Sequence, residues 1–70
     1  MKKTWYIFDN QNNIINEDNG LEDRTEAEKD FMNRFTYEEA AEEGFTLCQV
    51  LEDDKCWYEC LEELTADDIF

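Results

Sequence analysis

The segment Thr4-Trp5-Tyr6-Ile7-Phe8 constrains the fold more than any other stretch of this chain. β-Branched and aromatic residues favour extended backbone, and successive side chains on a strand point to opposite faces. Here both faces are apolar. Such a strand requires cover on both sides of its sheet, or an outer face kept for function. The chain has 70 residues, enough for one domain (1–70) with one modest core. Ten aromatic residues stand ready to fill it: Trp5, Tyr6, Phe8, Phe31, Phe35, Tyr37, Phe45, Trp57, Tyr58 and Phe70. Aromatics bury the most area per residue, which matters most in a short chain. A hydrophobic fraction of 41% favours folding, against a net charge that pushes toward disorder.

Turn formers follow the first strand, Asp9-Asn10-Gln11-Asn12-Asn13, and tolerate left-handed backbone. Ile14-Ile15 then predicts the start of a short returning strand, closing a first hairpin. Residues 16–23 are polar, contain Gly20 and read as a loop. Thr25 with Glu28 has the spacing of a capping box. Ala27, Phe31 and Phe35 recur at four-residue steps beside Met32, which predicts an amphipathic helix over 25–35. Thr36 with Glu39 repeats the cap. Tyr37, Ala40 and Ala41 form the apolar stripe of a second, shorter helix, and Gly44 stands where a C-terminal glycine cap belongs.

Residues 45–51 predict another strand, and Glu52-Asp53-Asp54-Lys55 a polar turn. Cys56-Trp57-Tyr58-Glu59-Cys60-Leu61 reads as the returning strand of a second hairpin, with a helix through 59–64 as the alternative. Thr65 with Asp68 predicts a final helical turn that pins Ile69 and Phe70 to the core. The expected fold is α+β, a small antiparallel sheet of two hairpins in the order β-β-α-α-β-β, packed against one or two short helices.

Several chemistries lack their parts. The chain has no histidine and no serine, which removes Ser/His and Cys/His nucleophilic catalysis and the commonest general base. The expectation is a protein that is not an enzyme and holds no cofactor. Cys48, Cys56 and Cys60 offer one close pair, Cys56-x-x-x-Cys60, without the second Cys/His pair of a structural zinc site. They read as core cysteines, with no metal site expected. Calcium-loop spacings starting at Asp9 and Asn16 lack the glutamate of the twelfth position, where Gly20 and Ala27 stand. With two glycines there is no phosphate-binding loop. An odd cysteine count, an early apolar run too short for a signal peptide and no span long enough for a bilayer suggest a cytoplasmic protein with reduced thiols.

Charge is the remaining signal. Twenty acids face six bases, a net of −14. Residues 1–35 hold eight acids and five bases, whereas residues 36–70 hold twelve acids and only Lys55. That field repels nucleic acid and anionic membranes and attracts basic surfaces. The twelve are Glu38, Glu39, Glu42, Glu43, Glu52, Asp53, Asp54, Glu59, Glu62, Glu63, Asp67 and Asp68. On a helix, 38/42 and 39/43 are neighbours about 5–6 Å apart, so like charges repel. Such spacing approximates a row of phosphates, about 3.4 Å per charge along one DNA strand.

A short chain, a pI near 4.1 and clusters such as Glu38-Glu39-x-x-Glu42-Glu43 resemble the small phage-encoded inhibitors of bacterial defence. These include anti-CRISPR proteins and DNA mimics that inhibit restriction enzymes. The resemblance lies in size and composition. It implies that the acidic groups occupy the Lys/Arg-rich nucleic-acid-binding surface of a defence effector in the host bacterial cytoplasm. Two other readings stand beside it. One is a regulatory adaptor that binds protein through exposed aromatics, such as a Trp5/Ile7 face or Trp57, with the acids serving solubility. The other is self-association into a homodimer through an edge strand.

Overall fold

The computed structural model describes the backbone of residues 2–52 and 58–70, and the side chains of residues 3–51 and 60–70. Three strands form one antiparallel sheet, β1 (Lys2–Phe8), β2 (Thr46–Glu52) and β3 (Tyr58–Leu64), with β2 in the middle. Ile7 lies opposite Leu47, which lies opposite Leu64. Helix α1 (Arg24–Arg34) and helix α2 (Tyr37–Glu43) connect β1 to β2, and α3 (Ala66–Ile69) follows β3. The α+β class is as expected from the sequence. The segment 53–57 lies outside the described residues, and with it most of the expected polar turn and the Cys56-Trp57 start of the last strand. From Tyr58 the chain is strand and not helix, and it runs on to Leu64.

Both faces of β1 are covered. On one face Trp5, Ile7, Leu47 and Leu64 pack against Ala27 and Phe31 of α1, Ala40 of α2 and Ala66 of α3. Phe31 and Ile7 have no exposed surface. Phe35 extends this core, its ring edge-on to Phe31 at 5.2 Å and stacked on Phe45 at 4.3 Å. On the other face Tyr6, Cys48 and Val50 form a second buried cluster, flanked by Phe8 and Ile14. The aromatic run therefore feeds two layers: helices on one side, the loop after β1 on the other.

That loop departs from expectation. Ile14-Ile15 does not form a fourth strand. Among the described residues, two isolated bridges lie along β1 on this side, Phe8 with Ile14 and Trp5 with Leu21. The Ile7 carbonyl accepts from the Ile15 amide at 2.9 Å, while the Ile7 amide donates to the side-chain Oδ1 of Asn16 at 2.7 Å. A side-chain amide thus stands where a partner strand would offer a carbonyl. The chain then leaves the sheet in a 3-10 turn, Glu17–Asn19, and returns to exchange two backbone bonds between Leu21 and Trp5, at 2.7 and 3.2 Å. The backbone groups of residues 5 and 7 on this edge are satisfied, as buried polar groups must be. Gly20 makes the return possible. A Cβ there would lie 2.5 Å from Thr4 Cγ2 and 2.6 Å from Tyr6 Cε1.

The helix termini follow local chemistry. The cap of α1 is Asp23 and not Thr25: its carboxylate accepts from the Glu26 amide at 3.0 Å. Asp23-x-x-Glu26 has the same spacing as Thr25-x-x-Glu28, and the earlier residue wins because the helix already begins at Arg24. The Thr36–Glu39 box forms as expected, with reciprocal bonds of 3.2 and 3.3 Å. Gly44 closes α2 in the left-handed region at φ 75°, where glycine meets no steric cost. At α3 the Asp68 carboxylate accepts from the Thr65 amide at 3.0 Å and hydroxyl at 3.2 Å.

Candidate functional site

The acids among the described residues do not lie on one surface. Glu38, Glu39, Glu42 and Glu43 are exposed on α2, and Asp67 and Asp68 are exposed on α3. These two short helices pack against each other, so six exposed carboxylates from distant sequence positions are carried on two adjoining helices. Part of their capacity is spent locally. Glu39 and Asp68 cap their own helices. Asp67 accepts a hydrogen bond from the Tyr37 hydroxyl, which ties α3 to the start of α2 and holds the Tyr37 phenol above its ordinary pKa. Among the described residues, no cation pairs with Glu38, Glu42 or Glu43.

Adjacent to these acids stands an exposed aromatic pair. The Tyr37 and Phe70 rings meet edge-to-face at 6.0 Å, and Phe70 also contacts Phe31 at 6.1 Å. Tyr37 is 46% exposed and Phe70 44%. The tail is thus pinned, but it also presents part of its last ring to solvent. Sequence reading placed Phe70 in the core and Tyr37 on an apolar stripe. The signal for their exposure was their position at the outer ends of two short helices, where little chain remains to cover them.

The other acids are disposed differently. Glu62 lies on the helical side of β3 and pairs with Arg24 at 3.2 Å. Arg24 also pairs with Glu28 at 3.0 Å and lies 5.9 Å from the Trp5 ring centre. Arg34 is likewise engaged, by Asp30 at 2.8 Å. Both arginines of α1 are therefore engaged by nearby acids. Glu63 falls on the opposite face of the sheet from Glu62, as strand alternation dictates. The backbones of Glu52 and Glu59 are paired in the sheet, opposite Tyr58 and Leu51, and Asp53 and Asp54 lie outside the described residues.

Burial also sorts the aromatic and cysteine readings. Trp5 is 2% exposed and Ile7 fully buried, so neither can anchor a partner as the adaptor reading required; Trp57 lies outside the described residues. Cys48 is a core cysteine as expected, 5% exposed between Tyr6 and Val50. Burial pushes its thiol up to about 12, with the hydrogen bond to the Cys60 thiol as a second cause. Cys60 is instead exposed: it sits on the edge strand β3, at the margin of the second cluster, where no further strand covers it among the described residues. Cys56 lies outside the described residues.

Among the described residues, no helix is long and apolar enough to cross a membrane. Comparison of the chain with protein-family models, with curated proteins and with solved structures found no match.

Proposed function

We propose that this protein is an inhibitory binder that places the acidic end of α2 and α3 in the basic nucleic-acid-binding groove of a bacterial defence effector, as anti-CRISPR proteins and DNA mimics do. The observation that carries this reading is the packing of α2 on α3. It brings Asp67 onto the Tyr37 hydroxyl beside the exposed Tyr37–Phe70 pair, at the start of the helix that carries the exposed Glu38, Glu42 and Glu43. Protein interfaces concentrate their energy in a few aromatic anchors surrounded by polar groups. Anionic groups flanking such an anchor steer the protein to a cationic groove and fix its register there. The local consumption of Arg24 and Arg34 by α1 acids supports the same reading, since it leaves the α2 carboxylates without intramolecular competition from them.

The test is competition between this protein and DNA for a Lys/Arg-rich effector nuclease. Inhibition should weaken as salt rises, because the attraction is screened. The triple variant Glu38→Lys, Glu42→Lys, Glu43→Lys leaves both capping residues intact and should abolish inhibition while keeping the far-UV circular dichroism of the parent. Inhibition unchanged by both salt and charge reversal would refute the reading. Binding that ignores salt but is lost in Tyr37→Ala would identify an aromatic-anchored adaptor instead.

A further inference from the structure

We propose that Cys48, Cys60 and Glu63 form a binding site for a thiophilic divalent cation, Zn2+ in the first instance. One Sγ from each cysteine and one carboxylate oxygen of Glu63 all lie within 4.8 Å of one another. Tetrahedral zinc, with Zn–S of about 2.3 Å and Zn–O of about 2.0–2.2 Å, needs such donors about 3.5–3.8 Å apart. The adjustment needed is at most about 1 Å, within the rotamer freedom of the exposed Cys60 and Glu63 side chains. Two thiolates and one carboxylate suit zinc better than calcium or magnesium, which take oxygen donors. The fourth position opens to solvent, as it does wherever three protein ligands hold zinc.

The sheet register builds this trio. Glu63 lies opposite Cys48, and Cys60 lies opposite Val50. Residues three apart on a regular strand face opposite ways. Here Val50 pairs with Cys60 but Gln49 pairs with Glu62, so Leu61 is an extra residue without a partner. This bulge turns Cys60 and Glu63 to the same face. The site lies in a depression of about 210 Å³, walled by Phe8 and Val50, with Asn12 at its rim. Around it, the Thr46 hydroxyl lies 3.8 Å from Cys48 Sγ and can donate to a thiolate there. The Cys60 thiol donates to the Glu62 carbonyl at 3.7 Å, a proton that coordination would displace. Such outer groups orient metal ligands. A disulfide fits less well. Cys48 and Cys60 are diagonal, not directly opposite, across the ladder, and both are free thiols.

The experiment is a Co2+ titration of the reduced full-length chain under a non-chelating reductant, followed by displacement with Zn2+. The expected result is one ion per chain, with thiolate-to-cobalt charge-transfer bands and the visible bands of tetrahedral Co2+. Cys60→Ser and Glu63→Gln, both at exposed positions, should weaken binding at least about tenfold while the circular dichroism is unchanged. Zn2+ should also shield the exposed Cys60 from alkylation. Cobalt bound without thiolate bands would mean adventitious carboxylate binding and overturn the proposal. So would unaltered affinity in Cys60→Ser, or affinity lost in Cys56→Ser but kept in Cys60→Ser.

Discussion

Asn16 is the side chain on which the seal of β1 depends, and its removal has a calculable effect. In Asn16→Ala the Ile7 amide loses its 2.7 Å acceptor. Ile7 is fully buried and Asn16 is 5% exposed, so water cannot readily replace it. A typical hydrogen bond contributes about 1 kcal/mol net, but an orphaned buried donor costs about 1–3 kcal/mol. We take about 2 kcal/mol. Against a total of about 5 kcal/mol, the low end for folded domains, that is a large fraction. In a domain of this size each kcal/mol shifts the melting temperature by about 4–8 °C, so the midpoint should fall by roughly 8–16 °C. Thermal and urea unfolding followed by circular dichroism measure the loss. Asn33→Ala, exposed on α1, is the control and should stay within about 0.5 kcal/mol. Amide hydrogen exchange supplies a local readout, because the Ile7 amide should exchange faster in Asn16→Ala than in the parent. A loss under about 0.5 kcal/mol, or an Ile7 amide still protected as in the parent, would refute the argument.

Three further outcomes follow from described contacts. Gly20→Ala should destabilise the fold by about 1–3 kcal/mol, as overpacking does, because its methyl group would strike Thr4 and Tyr6; chemical denaturation reads this directly. Thr4→Val should be neutral or stabilising by up to about 1 kcal/mol, since the buried Thr4 hydroxyl has no hydrogen-bond partner among the described residues. The Asp9 carboxylate accepts from the amides of Asn13 and Gln11, which holds its pKa below the ordinary value. Its contribution is therefore complete above the unfolded pKa of about 3.9 and is lost as pH falls through the lower folded value. A carboxyl NMR titration should place the Asp9 midpoint below that of a model peptide, and an ordinary midpoint would contradict the geometry.

Much of the fold was legible where local chemistry decides it. The Thr36–Glu39 box, the Thr65–Asp68 pair, the Gly44 cap and the strand through Trp5 to Phe8 each rest on residues within four positions of one another. The failures share a different origin. The strand expected to end at Leu61 runs on to Leu64: Glu and Leu favour helix, yet Leu64 must reach Leu47 across the sheet, and burial overrides propensity. The segment after β1 looked like a strand because its bonding partner was expected to be backbone, and no local pattern marks Asn16 as the substitute. The acids were visible as clusters, but their division between the α2–α3 end and the two faces of β3 follows from topology. The Cys48–Cys60–Glu63 group was invisible to spacing for the same reason: it is assembled by strand register and one bulge, whereas Cys56-x-x-x-Cys60 was the pair that spacing displayed.

The asymmetry of the sheet edges limits what this molecule can build. One margin, β1, is occupied by its own loop through Asn16, Ile15 and Leu21. Along the other, β3, no further strand is bonded among the described residues. Open sheets that grow into fibres need two available margins, one to accept each newcomer and one to offer the next. Among the described residues, only β3 leaves such a margin open. Strand pairing between two copies would consume both available margins at once and produce a closed two-fold pair of six strands, with no template left for a third. The loop that seals β1 therefore acts as a chain terminator for assembly, allowing so small a sheet to leave β3 uncovered without propagating.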